Sequence, residues 1–159
     1  MEAANKGAYE VAKKLGVKKW NSFASMGISL TSFPKGTINP YVQEKIMMKH
    51  FFARKWLLVR YSLGFVVFPG GFGTLDEFFE VLTLIQTSKM KKMPLILFDK
   101  TYWKLIIDWA EKSALENDLI SQKDLELVHI TSSIDEAADI IIKYCNCSKK
   151  DLEPLYKAK

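Results

Sequence analysis

Cysteine is scarce in this chain of 159 residues, with only Cys145 and Cys147, one position apart. That spacing is too short for a disulfide framework and too poor in partners for zinc, so free thiols in a reducing cytoplasm are expected. Histidine is equally rare. His50 and His129 stand isolated, which argues against a metal site and against a histidine-based triad. No apolar run approaches the roughly eighteen residues of a membrane span, and the first residues lack the apolar core of a signal peptide. A soluble, cytoplasmic protein with no membrane partner is the expectation. Internal repeats and low-complexity segments are absent, and no interleaved stripe of basic and aromatic residues marks a nucleic-acid face. The commonest nucleotide fingerprints are missing too: no Gly-Lys-Ser/Thr closes a P-loop, and the glycine spacing is not that of the dinucleotide fold.

What remains is an ordinary globular balance, 48% apolar and 26% charged, of a length that fits one domain with a real core. Lys and Arg outnumber Asp and Glu by 23 to 18, and the net charge of +5 mildly favours anionic ligands. Ala4, Ala8, Val11, Ala12 and Leu15 recur at helical spacing, with Gly16 as the stop. Met26 to Leu30 reads as a short strand, and residues 33–40 form a breaker-rich loop containing Lys35 and Gly36. Asn39 and Pro40 resemble an N-cap and first helical position, predicting a helix over residues 41–60 that buries Val42, Ile46, Met47, Phe51, Trp56 and Leu57. Later come a buried strand at 94–98 ending at the turn carboxylate Asp99, a helix over 102–115 and a strand at 127–130. A Ser133/Glu136 capping box then opens a helix to about residue 145, followed by a polar tail over 148–159. Alternation of strand and helix over these lengths predicts an α/β fold with a mainly parallel sheet and right-handed crossovers.

The chain is organised around Phe65-Val66-Val67-Phe68-Pro69-Gly70-Gly71-Phe72-Gly73-Thr74-Leu75-Asp76-Glu77. Phe65 to Phe68 reads as a buried strand, the glycines as a turn, and residues 75–88 as a helix with Phe78, Phe79, Leu82 and Ile85 on its sheet side. Lys89 to Lys92 would close that helix favourably for its dipole. The turn has two readings. Amide N–H groups at a helix N-terminus can hold a phosphate or carboxylate, or the glycines can simply let strand and helix pack closely. Thr74 and Glu77 also fit a capping box.

Pro69-Gly70-Gly71-Phe72-Gly73-Thr74-Leu75-Asp76-Glu77 resembles the Pro-Gly-Gly-x-Gly-Thr-x-x-Glu signature of the LOG ("lonely guy") family of nucleoside 5′-monophosphate phosphoribohydrolases, often mislabelled lysine decarboxylases. Phe51-Phe52-Ala53-Arg54-Lys55, Met1-Glu2-Ala3-Ala4-Asn5-Lys6-Gly7-Ala8, Leu82-Thr83-Leu84-Ile85-Gln86-Thr87 and Tyr102-Trp103 resemble further family segments. The resemblance covers practically the whole chain. It implies a Rossmann-like three-layer sandwich over residues 1–147 and hydrolysis of the N-glycosidic bond of AMP or a cytokinin riboside 5′-monophosphate to free base and ribose 5-phosphate. By the same resemblance Arg54 and Glu77 are the catalytic pair, and Gly70, Gly71, Gly73 and Thr74 cradle the 5′-phosphate. Lys55, Thr83 and Glu2 are further substrate contacts. It also implies a homodimer with sites drawn from both subunits, and no cofactor or metal.

Two departures from the family pattern stand out. The family normally reads Gly-Gly-Gly-x-Gly immediately before the segment that Met1-Glu2-Ala3 resembles, preceded by two strands and a helix, so a partial, N-terminally truncated domain is expected. Where the subgroup usually carries a nucleotide-holding glutamate, Lys35 and Gly36 stand instead, which bears on substrate preference. No lysine sits in the setting expected of a pyridoxal-phosphate enzyme. The reading from another class is a catalytically inactive protein that binds nucleotides or single-stranded nucleic acid.

Overall fold

A computed structural model describes residues 2–14, 16, 25–33 and 38–144. Lys35, Gly36, both cysteines and the 148–159 tail lie outside these residues. The chain divides into two compact units, with the boundary between Tyr61 and Ser62.

In the first unit, helix α1 (Glu2–Lys14) buries Ala12 and ends where Gly16, at a φ of 70°, donates its N–H to the Lys13 carbonyl. Glycine tolerates that left-handed turn, so the expected stop is observed. Strand β1 (Met26–Leu30) coincides with its predicted span and pairs in parallel with β2 (Glu44–Met48), Met26 opposite Glu44 and Leu30 opposite Met48. A polar cluster ties the unit together. Asn5 Nδ2 donates to the buried Ser25 Oγ at 2.8 Å, and Asn39 Nδ2 donates to Asn5 Oδ1 at 2.9 Å.

Strand β2 corrects the single helix expected over residues 41–60. The Asn39 side chain accepts from the Tyr41 N–H at 3.1 Å and its carbonyl from Val42, which makes a local turn rather than a helix cap. Glu44, Ile46 and Met48 are then half-buried while Lys45 and Met47 are exposed, the period-two pattern of a strand. Helix resumes only as α2 (Phe51–Arg60), after His50 in extended backbone. Its buried residue is Val59, and Phe51 and Trp56, expected inside, are more than half exposed.

The second unit is a parallel three-stranded sheet in the order β3 (Phe65–Val67), β4 (Leu95–Phe98), β5 (His129–Thr131). Phe65 stands opposite Leu95, and Ile96 opposite His129. Strand β4 is central, and its Leu95, Ile96 and Leu97 are fully buried, as a parallel strand covered on both faces should be. Strand β3 is an edge of this sheet, so Phe65, Val66 and Val67 are half-buried and Phe68 is exposed, rather than the buried run expected. Helices α3 (Phe72–Gln86), α4 (Lys100–Trp109), α5 (Gln122–Leu125) and α6 (Ile134–Tyr144) complete the unit, α4 running on into a π-helical turn at Ala110–Leu115.

Helix α3 buries Phe78, Val81 and Ile85, one stripe at helical spacing, while Phe79 and Leu82 are half-buried. The fully buried Trp103 of α4 donates its indole N–H to the Phe98 carbonyl at 3.0 Å and packs beside the Phe78 ring, joining α4, β4 and α3. The chain is thus α/β with parallel strands, consistent with a Rossmann-like fold.

Candidate active site

In a parallel sheet the strand-to-helix loops gather at the carboxyl edge, where α/β proteins bind their ligands. Three such loops lie there in the second unit: 68–71 after β3, Asp99 after β4, and Ser132-Ser133 after β5. They are stitched to one another. The Asp99 N–H donates to the Thr131 carbonyl at 2.9 Å, the Lys100 N–H to Ser132 Oγ at 3.0 Å, and the Tyr102 hydroxyl to the Gly70 carbonyl.

The glycine turn has a different chemistry at each position. A Cβ added at Gly70 would fall 2.2 Å from Thr74 Oγ1 and 2.8 Å from Thr74 Cβ, so only glycine lets the turn lie against the first turn of α3. At Gly71 and Gly73 a Cβ would meet nothing within 4 Å, and the approach to these residues is open. Gly71 is the N-cap of α3 and contributes no side-chain bond. Its carbonyl accepts from Thr74 and Leu75 at 3.0 and 3.1 Å, while the amides of Phe72 and Gly73 stand at the start of the helix, where no carbonyl lies one turn earlier.

The Thr74/Glu77 capping box is therefore not formed. Because the helix opens at Phe72, Thr74 lies inside its first turn and Glu77 one turn further on, half-buried. Gly70, Gly71, Gly73, Thr74 and Glu77 are thus brought together at one helix end. Thr83 is exposed on the later half of α3, where helix rotation has carried it about half a turn away from Thr74, and its carbonyl accepts from Thr87.

Arg54, Lys55 and Glu2 belong to the first unit. Arg54 sits in the opening turns of α2, and its Nε donates to the Ile28 carbonyl of β1 at 2.9 Å, which fixes the plane of the guanidinium whose two terminal nitrogens carry four more N–H donors. Lys55 is half-buried, its ammonium 6.0 Å from the Phe51 ring centroid. Glu2 is an exposed carboxylate in the first turn of α1, where it complements the helix dipole.

Asp99 adopts a φ of 87° and its carboxylate accepts from the Thr101 and Tyr102 N–H groups at 3.0 and 3.2 Å, so it caps α4 as the turn carboxylate expected. The Ser133 half of the second capping box is present, with its Oγ accepting from the Glu136 N–H at 3.3 Å. The Glu136 carboxylate instead accepts from Thr131 Oγ1. Tyr102 carries no local pattern that signals this contact, because its partner Gly70 lies 32 positions away. A cavity of about 920 Å³ opens at the opposite, amino edge of β4 and β5, between Lys92, Lys123, His129 and Tyr144, and none of the expected site residues lines it. Among the described residues no helix is long and apolar enough to cross a membrane.

Comparison with known proteins bears directly on this geometry. The family described as "Possible lysine decarboxylase" matches residues 1–141. A cytokinin riboside 5′-monophosphate phosphoribohydrolase of Rhodococcoides fascians is 36% identical over 63 residues, 40% of this chain and 32% of the relative. Two Arabidopsis thaliana proteins with the same name, LOG3 and LOG4, are 26% and 27% identical over 123 and 120 residues. Those matches cover 77% and 76% of this chain but 57% and 55% of the relatives, so the matched part spans about half their length. With a family match running through nearly every element described above, and relatives that carry phosphoribohydrolase names, the chain belongs to the LOG family.

Proposed function

We propose that this protein hydrolyses the N-glycosidic bond of a nucleoside 5′-monophosphate, AMP or a cytokinin riboside 5′-monophosphate, to free base and ribose 5-phosphate. The observation that carries the reading is the Pro69 to Glu77 motif, folded as turn and helix start directly after strand β3 in a chain of this family. Cleavage passes through a sugar of oxocarbenium character, so a site must hold the phosphate, stabilise positive charge at the anomeric carbon and position water. The amides of the glycine turn and the positive end of the α3 dipole suit the phosphate, with Thr74 beside them. Glu77, one turn along, supplies the carboxylate that stabilises the cationic sugar and orients the attacking water. Arg54 and Lys55 anchor substrate anions, Arg54 assists the departing base, and Glu2 is an outer contact. Thr83, exposed on the later half of α3, is the further substrate contact that the family resemblance implies.

The exposed aromatics Phe51, Phe52, Trp56 and Tyr61 on and just after α2 are the surface we assign to a homodimer. The test of the activity is release of ribose 5-phosphate from AMP, with Glu77→Ala beside the parent chain. Turnover should fall by at least about 10³-fold, with the thermal midpoint within a few degrees of the parent's. A Glu77→Ala chain that still turns over AMP would refute the assigned role. A parent chain that binds AMP without cleaving it would favour the binding-only reading.

A further inference from the structure

The Tyr102–Gly70 hydrogen bond is more than a loop contact, because of which atoms it joins. Tyr102 is held at its backbone and along one edge of its ring. Its backbone N–H is held by Asp99 at 3.2 Å, its ring stands edge-on to Trp103 at 5.0 Å, and Trp103 is itself fully buried and bonded to the Phe98 carbonyl. The hydroxyl of this fixed ring donates to the carbonyl of Gly70. In a trans peptide the C=O of one residue and the N–H of the next point in opposite directions, so holding the Gly70 carbonyl toward Tyr102 turns the Gly71 N–H away from it. A peptide flanked by two glycines is the one most free to flip, since neither residue carries a Cβ to restrict it. A hydrogen-bonded carbonyl also polarises its own peptide group, which makes the N–H on its far side a better donor.

We propose that Tyr102 is a positioning residue for anion binding, a latch that sets the Gly70-Gly71 peptide so that the Gly71 N–H joins the amides of Phe72 and Gly73 in facing the 5′-phosphate. The proposal rests on the phosphate role assigned to the glycine turn above. Tyr102 touches no substrate atom in this role. It acts through the backbone of the turn, and its ring does not contribute beyond carrying the hydroxyl.

The experiment compares the full chain with Tyr102→Phe, which keeps the ring and its packing and removes only the donor. Two readouts are taken: steady-state hydrolysis of AMP, and titration with inorganic phosphate followed on the backbone amide signals of Gly71 and Gly73. The latch predicts that KM for AMP and the Kd for phosphate both rise about three- to tenfold, the loss of one hydrogen bond's worth of binding, with kcat within about twofold. A merely structural role would lower the thermal midpoint and leave KM and Kd where they were, and that result overturns the proposal. If Tyr102→Phe cleaves AMP with the parent KM, the latch fails while the phosphoribohydrolase reading stands. If the parent chain cleaves no AMP yet its phosphate Kd rises in Tyr102→Phe, the latch stands and that reading fails. A parent chain whose glycine amides ignore phosphate removes the cradle, and the latch with it.

Discussion

Gly70 and Gly71 are neighbours of one type with opposite demands on them. At Gly70 the constraint is steric, because Thr74 occupies the place a Cβ would take, and at Gly71 and Gly73 the space is open. Gly70→Ala should therefore cost about 1–3 kcal/mol of stability as the turn is pushed off α3. Gly73→Ala, within the first turn of the helix, should instead gain up to about 1 kcal/mol from helix propensity while weakening AMP binding, since its methyl group would enter the open space proposed for the phosphate. Denaturant melts beside KM values for both variants check this. A Gly73→Ala chain with unaltered KM would mean that the open space at the turn has no ligand in it. The motif itself was legible in the sequence, but not which glycine is required by packing and which faces open space. The closeness of Thr74 depends on where the helix begins, and it begins earlier than Thr74 as a cap would require.

Among the elements, β1, β3, β4 and α3 lie close to their predicted places, because short β-branched and aromatic runs bounded by breakers have few alternatives. Strand β2 was not legible. Residues 41–48 satisfy a helical and an alternating pattern at once, and only pairing with β1 selects the strand. The capping box at α5 was likewise not legible: the Asp124 N–H donates to the Ser121 side chain and the Ser121 N–H to Asp124 Oδ2 at 2.8 Å, and the Ser121 hydroxyl reaches the same carboxylate oxygen at 2.9 Å. The backbone N–H of Ser121, first, and then the side chains of Gln86 and Ser121 hold the Asp124 carboxyl below the ordinary aspartate range. A carboxyl lowered in the folded state stabilises above its ordinary pKa and loses that contribution as pH falls through the lowered value. Asp124→Ala should thus cost about 0.5–1 kcal/mol near neutral pH, and the gap from the parent chain should close as the solution is acidified below the normal carboxylate range. Denaturant melts over a pH series measure it, and a gap that stays constant into acid would show that the carboxylate charge is not what caps α5.

For the whole molecule, the decisive fact is that the two residues assigned to catalysis belong to different compact units, Arg54 to the first and Glu77 to the second. For the proposed homodimer with sites drawn from both subunits, as the family resemblance implies, Arg54→Ala and Glu77→Ala should each be inactive alone. When the two are unfolded and refolded together they should regain about a quarter of parental activity, because half of randomly paired dimers then hold one intact site of two. Ribose 5-phosphate release from the mixture is the measurement. No recovery would place each site within a single chain. The modest charge of +5 makes a second, independent check: hydrolysis should tolerate moderate salt, whereas single-stranded nucleic-acid binding would fall steeply with it.

By itself the sequence determined the α/β class, through alternating strand and helix patterns, the strand–turn–helix at Phe65 to Glu77, through a short apolar run followed by glycines and an amphipathic stretch, and the family, through the likeness of its contiguous motifs. Tertiary structure alone decided that residues 44–48 are a strand, that β3 lies at the edge of its sheet, that Arg54 is braced by the Ile28 carbonyl and that Tyr102 holds the Gly70 carbonyl. Each of these depends on a partner distant in the chain, 26 positions away for Arg54 and 32 for Tyr102, and no local periodicity or propensity carries information about a contact made across such a separation.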